Sequence, residues 1–270
     1  MTVQAPDPKP EHSDELLYEV KDGIGLVIFN RPEARNALTF SMYDRLAEIC
    51  KSAKDDASLK AIIITGAGDR AFAAGTDISL FRDFRTAEDG LNYEQKMEEI
   101  LAAVEACSVP TIAAISGACT GGGAVIAAAC DLRIATADML FGVPIARTLG
   151  NCLSAANLLR LSQLLGAGRT RELILTACLI KADEAKAIGL VSEVFPTNGE
   201  LLDHAQDLAR SIAGHAPLTL RVTKEMFARL NALQPNADDD DLIALCYASD
   251  DFREGLDAFL SKRRPEWKGR

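Results

Sequence analysis

Short apolar runs along the chain are followed by longer amphipathic stretches, a pattern that predicts strands connected by helices. Residues 16–20 and 25–29 are apolar-rich segments on either side of Asp22-Gly23, a dipeptide typical of a hairpin turn. The β-branched run at residues 61–65 predicts a strand that is buried on both faces. Because apolar residues recur every three or four positions in several later segments, the sequence predicts an α/β fold.

Two amphipathic stretches are predicted as helices in the first half of the chain. Thr39 can cap the first, whose apolar stripe is assigned to the core and comprises Phe40, Tyr43, Leu46, Cys50 and Ala53. The second covers residues 91–107 and is separated by residues 86–90 from a charged helical segment over residues 78–85. This broken helix is interpreted either as a lid over a pocket or as a surface hairpin with solvated charges.

The last third of the chain has a different pattern from the rest. Residues 201–213, 217–233 and 242–263 are predicted as three helices with no strand between them, and the acidic run 238–241 fits a solvated helix N-terminus. The predicted organisation is therefore a flexible tail over residues 1–15, a strand-rich core over 16–197 and a helical region over 198–270.

The run Gly121-Gly122-Gly123 lies between a predicted strand, residues 111–116, and a helix of small residues, 123–130. Glycines at a helix start let a ligand approach the backbone closely, and the free N–H groups point outward in the positive field of the helix end. Such a place suits a developing negative charge. The alternative is that these glycines only permit tight packing of helix against strand.

The segment 66–71, Gly-Ala-Gly-Asp-Arg-Ala, superficially matches a dinucleotide-binding fingerprint. That fingerprint must open a helix, whereas a second glycine-containing loop follows here. A nucleotide-dependent oxidoreductase is thus kept only as an alternative hypothesis, and calorimetry that shows no NAD binding would exclude it.

Composition narrows the possible partners and the cellular compartment. The 270 residues carry a formal net charge of −10, which argues against nucleic acid or an anionic membrane as a partner. Seven cysteines without a C-x-x-C spacing favour reduced, buried thiols over a metal site or disulfides. The polar N-terminus is unlike a signal peptide, and no apolar run reaches the roughly 18 residues of a membrane span, so a cytoplasmic protein is predicted.

Four ordered motifs resemble the enoyl-CoA hydratase/isomerase (crotonase) superfamily over nearly the whole chain. They are Phe29-Asn30-Arg31-Pro32 with Asn36-Ala37-Leu38; residues 71–78; Gly121-Gly122-Gly123 with residues 130–135; and Phe141-Gly142-Val143-Pro144. The resemblance implies a spiral of ββα repeats with a helical C-terminal trimerisation region, and a homotrimer or a dimer of trimers. It also implies an acyl-CoA substrate, with coenzyme A as part of that substrate and no separate cofactor.

The resemblance assigns roles to individual positions. Two backbone N–H groups, those of Thr76 and Gly122, would hold the thioester oxygen of the acyl-CoA in an oxyanion hole, so the side chain of Thr76 is expected to matter little. The positions implied to contact coenzyme A are Arg35, Ala37, Leu38, Ala74, Asp77, Ile78 and Ser79. Arg31, Lys262 and Arg263 are further candidate phosphate partners.

The sequence departs from the family pattern at two positions. Typical hydratases carry catalytic glutamates where this chain has Val125 and Ile145. Because neither side chain can activate water or protonate carbon, standard hydration is doubtful. Double-bond isomerisation, decarboxylation or hydration of an unusual substrate are alternatives, as is a non-catalytic acyl-CoA-binding protein.

Three places could supply substitute polar groups. The loop at residues 147–152 contains Arg147, the first candidate, which could bind a substrate carboxylate or steady an enolate. Its alternative role is a structural salt bridge. Cys119 and Thr120 border the glycine run, and four acidic residues could reach in from the lid: Asp83, Glu88, Asp89 and Glu94.

Overall fold

A computed structural model describes residues 15–232 and 238–270. The predicted tail, apart from Glu15, and the predicted linker at residues 234–237 lie outside these described residues. None of the helices in the described ranges is both long and apolar enough to cross a membrane.

Ten strands form two sheets in the described residues, and their order follows a spiral. The larger sheet has the order β1-β2-β3-β5-β7-β10 and the smaller one β4-β6-β8-β9. Successive turns of the chain each add one strand to both sheets, in the pairs β3/β4, β5/β6 and β7/β8, and neighbouring turns are parallel. The predicted α/β spiral is confirmed. The strands are β1 (Leu16–Lys21), β2 (Ile24–Phe29), β3 (Ala61–Gly66), β4 (Ala71–Ala73), β5 (Thr111–Ile115), β6 (Ala118–Thr120), β7 (Leu132–Thr136), β8 (Leu140–Gly142), β9 (Ile180–Lys181) and β10 (Val194–Phe195).

The hairpin of β1 and β2 forms as the turn chemistry predicts. Asp22 and Gly23 have φ values of 53° and 78°, and this pair of positive φ angles matches the right-handed twist of the two strands. Strand β3 has all six residues buried, in agreement with the prediction of a strand covered on both faces.

Helices cover both faces of the larger sheet. The main core lies between the sheets and helices α1, α2 and α3, whereas α8 packs on the opposite face through Leu201, Ala205 and Ala209. The helices are α1 (Phe40–Ser52), α2 (Ala87–Glu105), α3 (Gly122–Ala129), α4 (Ile145–Thr148), α5 (Ala155–Leu165), α6 (Ala167–Leu175), α7 (Ala182–Ala187), α8 (Asn198–Ala213), α9 (Pro217–Ala232), α10 (Asp240–Tyr247) and α11 (Asp250–Leu260).

The break predicted over residues 86–90 exists, but it lies earlier, between Asp83 and Ala87. A capping box between Thr86 and Asp89 starts α2 four residues earlier than expected, so that Gly90 lies inside the helix. Glycine is needed there for space, because an added Cβ would lie 2.3 Å from the ring of Tyr247. The segment before it, Ile78–Asp83, is a 3₁₀ helix and ends before the predicted boundary at Arg85.

The single helix predicted over residues 242–263 is wrong. The structure has two helices, α10 and α11, which are separated at Ser249; its hydroxyl accepts a hydrogen bond from the N–H of Phe252 and caps α11. This break lets both helices turn inward against α2 and the preceding 3₁₀ helix, in a cluster that contains Phe81, Tyr247 and Phe252. The predicted strand over residues 190–195 shortens to β10.

The chain ends against the loop that follows α4. Trp267, the single tryptophan of the sequence, packs beside Gly150, where an added Cβ would lie 3.1 Å from the indole ring. The φ of Gly150 is 75°, a left-handed conformation that favours glycine. The C-terminus is therefore anchored next to the segment that leads into α5.

Candidate functional site

A cavity of about 600 Å³ lies beside the smaller sheet, between strands β6 and β8 and the helices around them. It is lined by the glycine run, by the loop after β4, and by side chains from α1, α2, α4 and the end of α11. Its volume falls within the roughly 300–1,000 Å³ of small-molecule sites. The structure therefore brings the predicted glycine loops and the broken helix around one cavity.

Each of the three consecutive glycines has its own role. Gly121 has φ 52° and ψ −123°, a backbone conformation that a β-carbon would strain. Gly123 packs so closely that an added Cβ would lie 2.4 Å from the carbonyl oxygen of Ala73. Gly122 is the first residue of α3, where N–H groups have no acceptor within the helix. The packing interpretation thus holds for Gly123, while Gly122 leaves its amide at the cavity.

The second loop places another amide beside the same cavity. Gly75, with φ 107°, turns the chain, and Thr76 forms an isolated bridge with Leu38. In this bridge Leu38 N–H donates to the Gly75 carbonyl at 2.8 Å, and Asp77 N–H donates to the Leu38 carbonyl at 2.9 Å. The N–H of Thr76, which lies between these two bonds, takes no part in the bridge.

Three hydroxyl groups lie in the same lining. The hydroxyl of Tyr43 lies 2.9 Å from Thr76 Oγ1, which lies 2.9 Å from the hydroxyl of Tyr93. All three residues line the cavity. Burial raises the pKa of both tyrosines, so both hydroxyls stay protonated at neutral pH. The side chain of Thr76 was expected to matter little, but its hydroxyl links α1 to α2 through these two hydrogen bonds.

Glu94 is a buried carboxyl in the wall of the cavity. It projects from α2 and is 5% exposed, and its Oε1 accepts a hydrogen bond of 2.7 Å from the hydroxyl of Tyr247. Burial raises the pKa of Glu94 to about 7, although the hydrogen bonds from Tyr247 and from the backbone of Ser154 oppose this shift. A carboxyl with such a pKa can both accept and donate a proton near neutral pH.

Asn151 completes the polar group around Glu94. Its Nδ2 donates to the Tyr247 hydroxyl at 3.2 Å, so that donors are directed in series from the asparagine to the carboxyl. Its Oδ1 is buried, and within the described residues it has no hydrogen-bond partner. Asn151 also lines the cavity, which leaves this oxygen available to a bound molecule.

Most of the residues predicted to contact a ligand lie around the cavity. The lining includes Thr76, Gly122, Arg35, Ala37, Ala74, Asp77, Ile78 and Ser79. Leu38 is fully buried behind the loop rather than in the lining. Two of the candidate phosphate partners are held by carboxylates, since Arg31 pairs with Asp77 at 2.9 Å and Arg263 with Glu254 at 2.5 Å.

The cavity lining is apolar at the two positions where the family pattern predicts glutamates. These positions are occupied by Val125 and Ile145. Arg147 is exposed on α4 and is not part of the lining.

Among the acidic candidates only Glu94 reaches the cavity. Asp83 and Glu88 are exposed, and Asp89 is occupied in capping α2, where it accepts the N–H of Thr86 at 2.8 Å. Cys119 is fully buried behind the lining, and burial raises the pKa of its thiol well above the usual range. Thr120 does line the cavity.

A sequence signal could have singled out Glu94. It stands three residues before Met97 and seven before Leu101, two apolar residues of the buried face of α2. A charged residue on an apolar face is uncommon unless it is paired or functional. No comparable signal exists for Tyr43, whose place in the stripe of α1 is typical of core and does not reveal where its hydroxyl points.

The described residues hold no group of three or more histidine, cysteine, aspartate or glutamate side chains suited to bind a metal ion. The loop over residues 66–71 leads into β4 rather than a helix, as its context predicts, so the dinucleotide fingerprint lacks its phosphate-binding helix.

Comparison with known proteins identifies relatives over almost the full length. A family model described as Enoyl-CoA hydratase/isomerase matches residues 19–270. The short-chain-enoyl-CoA hydratase of Clostridium acetobutylicum is 33% identical over 94% of this chain and 97% of its own. The solved carnitinyl-CoA hydratase of Mycobacterium avium is 30% identical over 96% and 100% of the two chains, with a TM-score of 0.82. A methylmalonyl-CoA decarboxylase structure is 27% identical over 95% and 99%, with a TM-score of 0.86.

Proposed function

This chain belongs to the enoyl-CoA hydratase/isomerase family, and from that premise we propose that it binds an acyl-CoA thioester and stabilises its enolate. The thioester oxygen would accept hydrogen bonds from the backbone N–H groups of Thr76 and Gly122. Both amides border one cavity, and neither is used in the strand bridge or the helix that contains it. Two fixed donors of this kind suit an oxygen that becomes negative during the reaction.

The coenzyme A part would lie along the loops that precede α1 and follow β4. Arg35 is exposed at the cavity lining and offers a cation to a phosphate. Asp77 is held by Arg31 and by Ser79, whose N–H donates to its carboxylate at 3.0 Å, so it shapes this loop. The thioester and acyl chain would then extend past Gly122 towards α2.

The observation that carries the choice of reaction is Glu94, the one buried carboxyl in the part of the chain that the structure describes. Hydration needs one group that activates water and one that protonates carbon, and Val125 and Ile145 supply neither. A shift of a double bond needs only one base that takes a proton from one carbon and returns it to another. We therefore favour isomerisation of an enoyl thioester.

The atoms balance in this scheme without any further reagent. The carboxylate of Glu94 takes a proton from Cα of a 3-enoyl-CoA, and the electron pair of the broken C–H bond delocalises onto the thioester oxygen. The same proton returns to Cγ, and the product is the 2-enoyl-CoA. A pKa of about 7 fits a group that must both accept and release this proton.

The test is the formation of 2-enoyl-CoA from a trans-3-enoyl-CoA, followed by absorbance. Glu94→Gln should lower kcat roughly 10²–10⁴-fold because it removes the only proton carrier in the scheme. Glu99→Gln on the exposed face of the same helix is the matched control. Activity of Glu94→Gln within twofold of the wild type would exclude this role, and fast water addition to crotonyl-CoA by the wild type would restore the hydratase assignment.

A non-catalytic acyl-CoA-binding role is the second candidate. It is favoured by the apolar groups of Val125 and Ile145 at two cavity positions. In that case acyl-CoA binding would be retained while neither isomerisation nor exchange of α-hydrogen with solvent deuterium occurred. Decarboxylation is a further candidate, since a decarboxylase has a similar fold with a TM-score of 0.86, and a malonyl-type thioester would test it.

We also propose that copies of the chain associate through α9. An apolar stripe along this helix is left uncovered, with Phe227 64% and Met226 59% exposed. It continues through Leu218, Val222 and Leu230. A trimer, or a dimer of trimers, would bury this stripe.

A further inference from the structure

Three hydroxyl groups form a hydrogen-bonded row that passes beside Gly122, and the mechanism proposed above does not use them. Tyr43 comes from α1, Tyr93 from α2, and Thr76 from the loop that follows β4. Their oxygens form a chain with two links of 2.9 Å each. Both distances are typical of good hydrogen bonds between hydroxyls.

The three hydroxyl groups have more protons than there are hydrogen bonds between them. Three hydroxyls carry three protons, and two hydrogen bonds use two of them. Within the residues that the structure describes, neither tyrosine hydroxyl has a partner other than Thr76. One proton is therefore always available to a molecule in the cavity.

The position of Tyr43 indicates where this proton is presented. A Cβ added to Gly122 would lie 1.9 Å from the Tyr43 hydroxyl and 3.1 Å from Thr76 Oγ1. The phenol therefore fills the space directly beside the glycine whose N–H opens α3. Tyr43 is 1% exposed, so the cavity is where its hydroxyl can meet a ligand.

We propose that the Tyr43 hydroxyl is a third hydrogen-bond donor to the thioester oxygen of a bound acyl-CoA, an inference that rests on the proposed function. Donation then runs in one direction, from Tyr93 to Thr76, from Thr76 to Tyr43, and from Tyr43 to the substrate oxygen. Every proton is used once. Tyr93 and Thr76 are positioning residues in this arrangement, and each donated bond polarises the next.

The chemical consequence is greatest when the oxygen becomes negative. In the ground state a third donor lowers the C=O bond order a little, whereas in the enolate it meets a developing charge. Loss of one such donor costs roughly 10²–10³-fold in rate where the site is rigid. With two backbone donors retained, Tyr43→Phe should slow α-proton exchange roughly 10–100-fold.

Infrared difference spectroscopy of butyryl-CoA with a ¹³C-labelled thioester carbonyl tests this inference directly. The carbonyl band of the bound ligand should lie below that of the free ligand, and Tyr43→Phe should move it back towards the free position. Tyr18→Phe is the matched control, because this partly buried tyrosine lies on β1 and does not line the cavity. An unchanged band in Tyr43→Phe would overturn the proposal.

Variants of Thr76 keep the test decisive if Tyr43→Phe fails to fold. Thr76→Val preserves the shape of the side chain but breaks the chain of hydroxyls, whereas Thr76→Ser keeps it. The carbonyl band should therefore shift further towards the free position in Thr76→Val than in Thr76→Ser. Equal bands in these two variants would contradict the proposed chain.

The carbonyl band and proton exchange separate the two hypotheses. If the wild type binds butyryl-CoA but does not exchange its α-hydrogen with D₂O, the proposed enolate chemistry fails while the band still tests the Tyr43 donor. If the wild type exchanges normally and Tyr43→Phe leaves both readouts unchanged, only the Tyr43 inference fails. Absence of acyl-CoA binding by the wild type overturns both.

Discussion

The buried carboxyl of Glu94 couples the stability of the fold to pH. Its pKa is about 7 in the folded protein, against 4.5 for an ordinary glutamate. Below pH 4.5 the group is protonated in both the folded and the unfolded state. Between pH 4.5 and 7 only the unfolded state releases the proton, so the free energy of unfolding falls as pH rises. Above pH 7 both states are ionised, and the loss is complete.

This coupling predicts a stability difference between the wild type and Glu94→Gln. At about 1.4 kcal/mol per pKa unit, ionisation of Glu94 should cost the wild type roughly 3 kcal/mol between pH 4.5 and 8. The glutamine cannot ionise, so Glu94→Gln should gain stability relative to the wild type over this range. Urea unfolding at several pH values measures the difference, and a difference independent of pH would show that Glu94 titrates normally.

The contact between helices α2 and α10 requires that residue 90 have no side chain. An added Cβ on Gly90 would meet the Tyr247 ring at 2.3 Å. We expect Gly90→Ala to destabilise the protein by about 1–3 kcal/mol, because overpacking outweighs the higher helix propensity of alanine. Thermal unfolding measures the change, and the displaced Tyr247 should also weaken the hydrogen bond to Glu94.

Gly168 in α6 provides the control substitution for Gly90→Ala, because it is a helix glycine with no neighbour to crowd. No heavy atom lies within 4 Å of the position that its Cβ would take. Gly168→Ala should therefore stabilise the protein by a few tenths to about 1 kcal/mol. If both variants changed stability in the same direction, packing against Tyr247 would not explain the glycine at position 90.

Elements with strong local signals could be predicted from the sequence. The hairpin follows from Asp22-Gly23 because few other residues adopt two positive φ angles, and the buried strand β3 follows from its run of isoleucines. The glycine loops around Gly75 and Gly122 could be located in the same way. These features are decided by residues within a few positions of one another.

Features that depend on distant residues could not be predicted. From the sequence alone, Gly90 is interpreted as a helix breaker. The structure shows that it leaves space for the ring of Tyr247, which lies more than 150 positions later in the sequence. The hydroxyl chain joins Tyr43 to Tyr93 through Thr76, and no periodicity in either helix marks these hydroxyls. Glu94 differs from these features, because its place on the apolar face of α2 could have distinguished it from the other three acidic candidates.

The proposed association of chains through α9 predicts the mass of the protein in solution. Three chains of 29.0 kDa give about 87 kDa, and a dimer of trimers gives twice that. Phe227→Glu places a charge in the stripe and should shift the mass towards that of one chain. Leu17→Glu, at an exposed leucine on β1, is the control. Multi-angle light scattering measures these masses, and a wild type at the mass of one chain would contradict the proposed assembly.

The placement of Trp267 gives the protein a built-in optical reporter. All tryptophan fluorescence of one chain comes from a single indole, and that indole lies against Gly150, next to the cavity residue Asn151. Excitation at the red edge of the indole band avoids both the tyrosines and the adenine of coenzyme A. Emission from the unmodified protein therefore reports on the loop beside the site as an acyl-CoA is added, even for saturated thioesters that have no chromophore of their own.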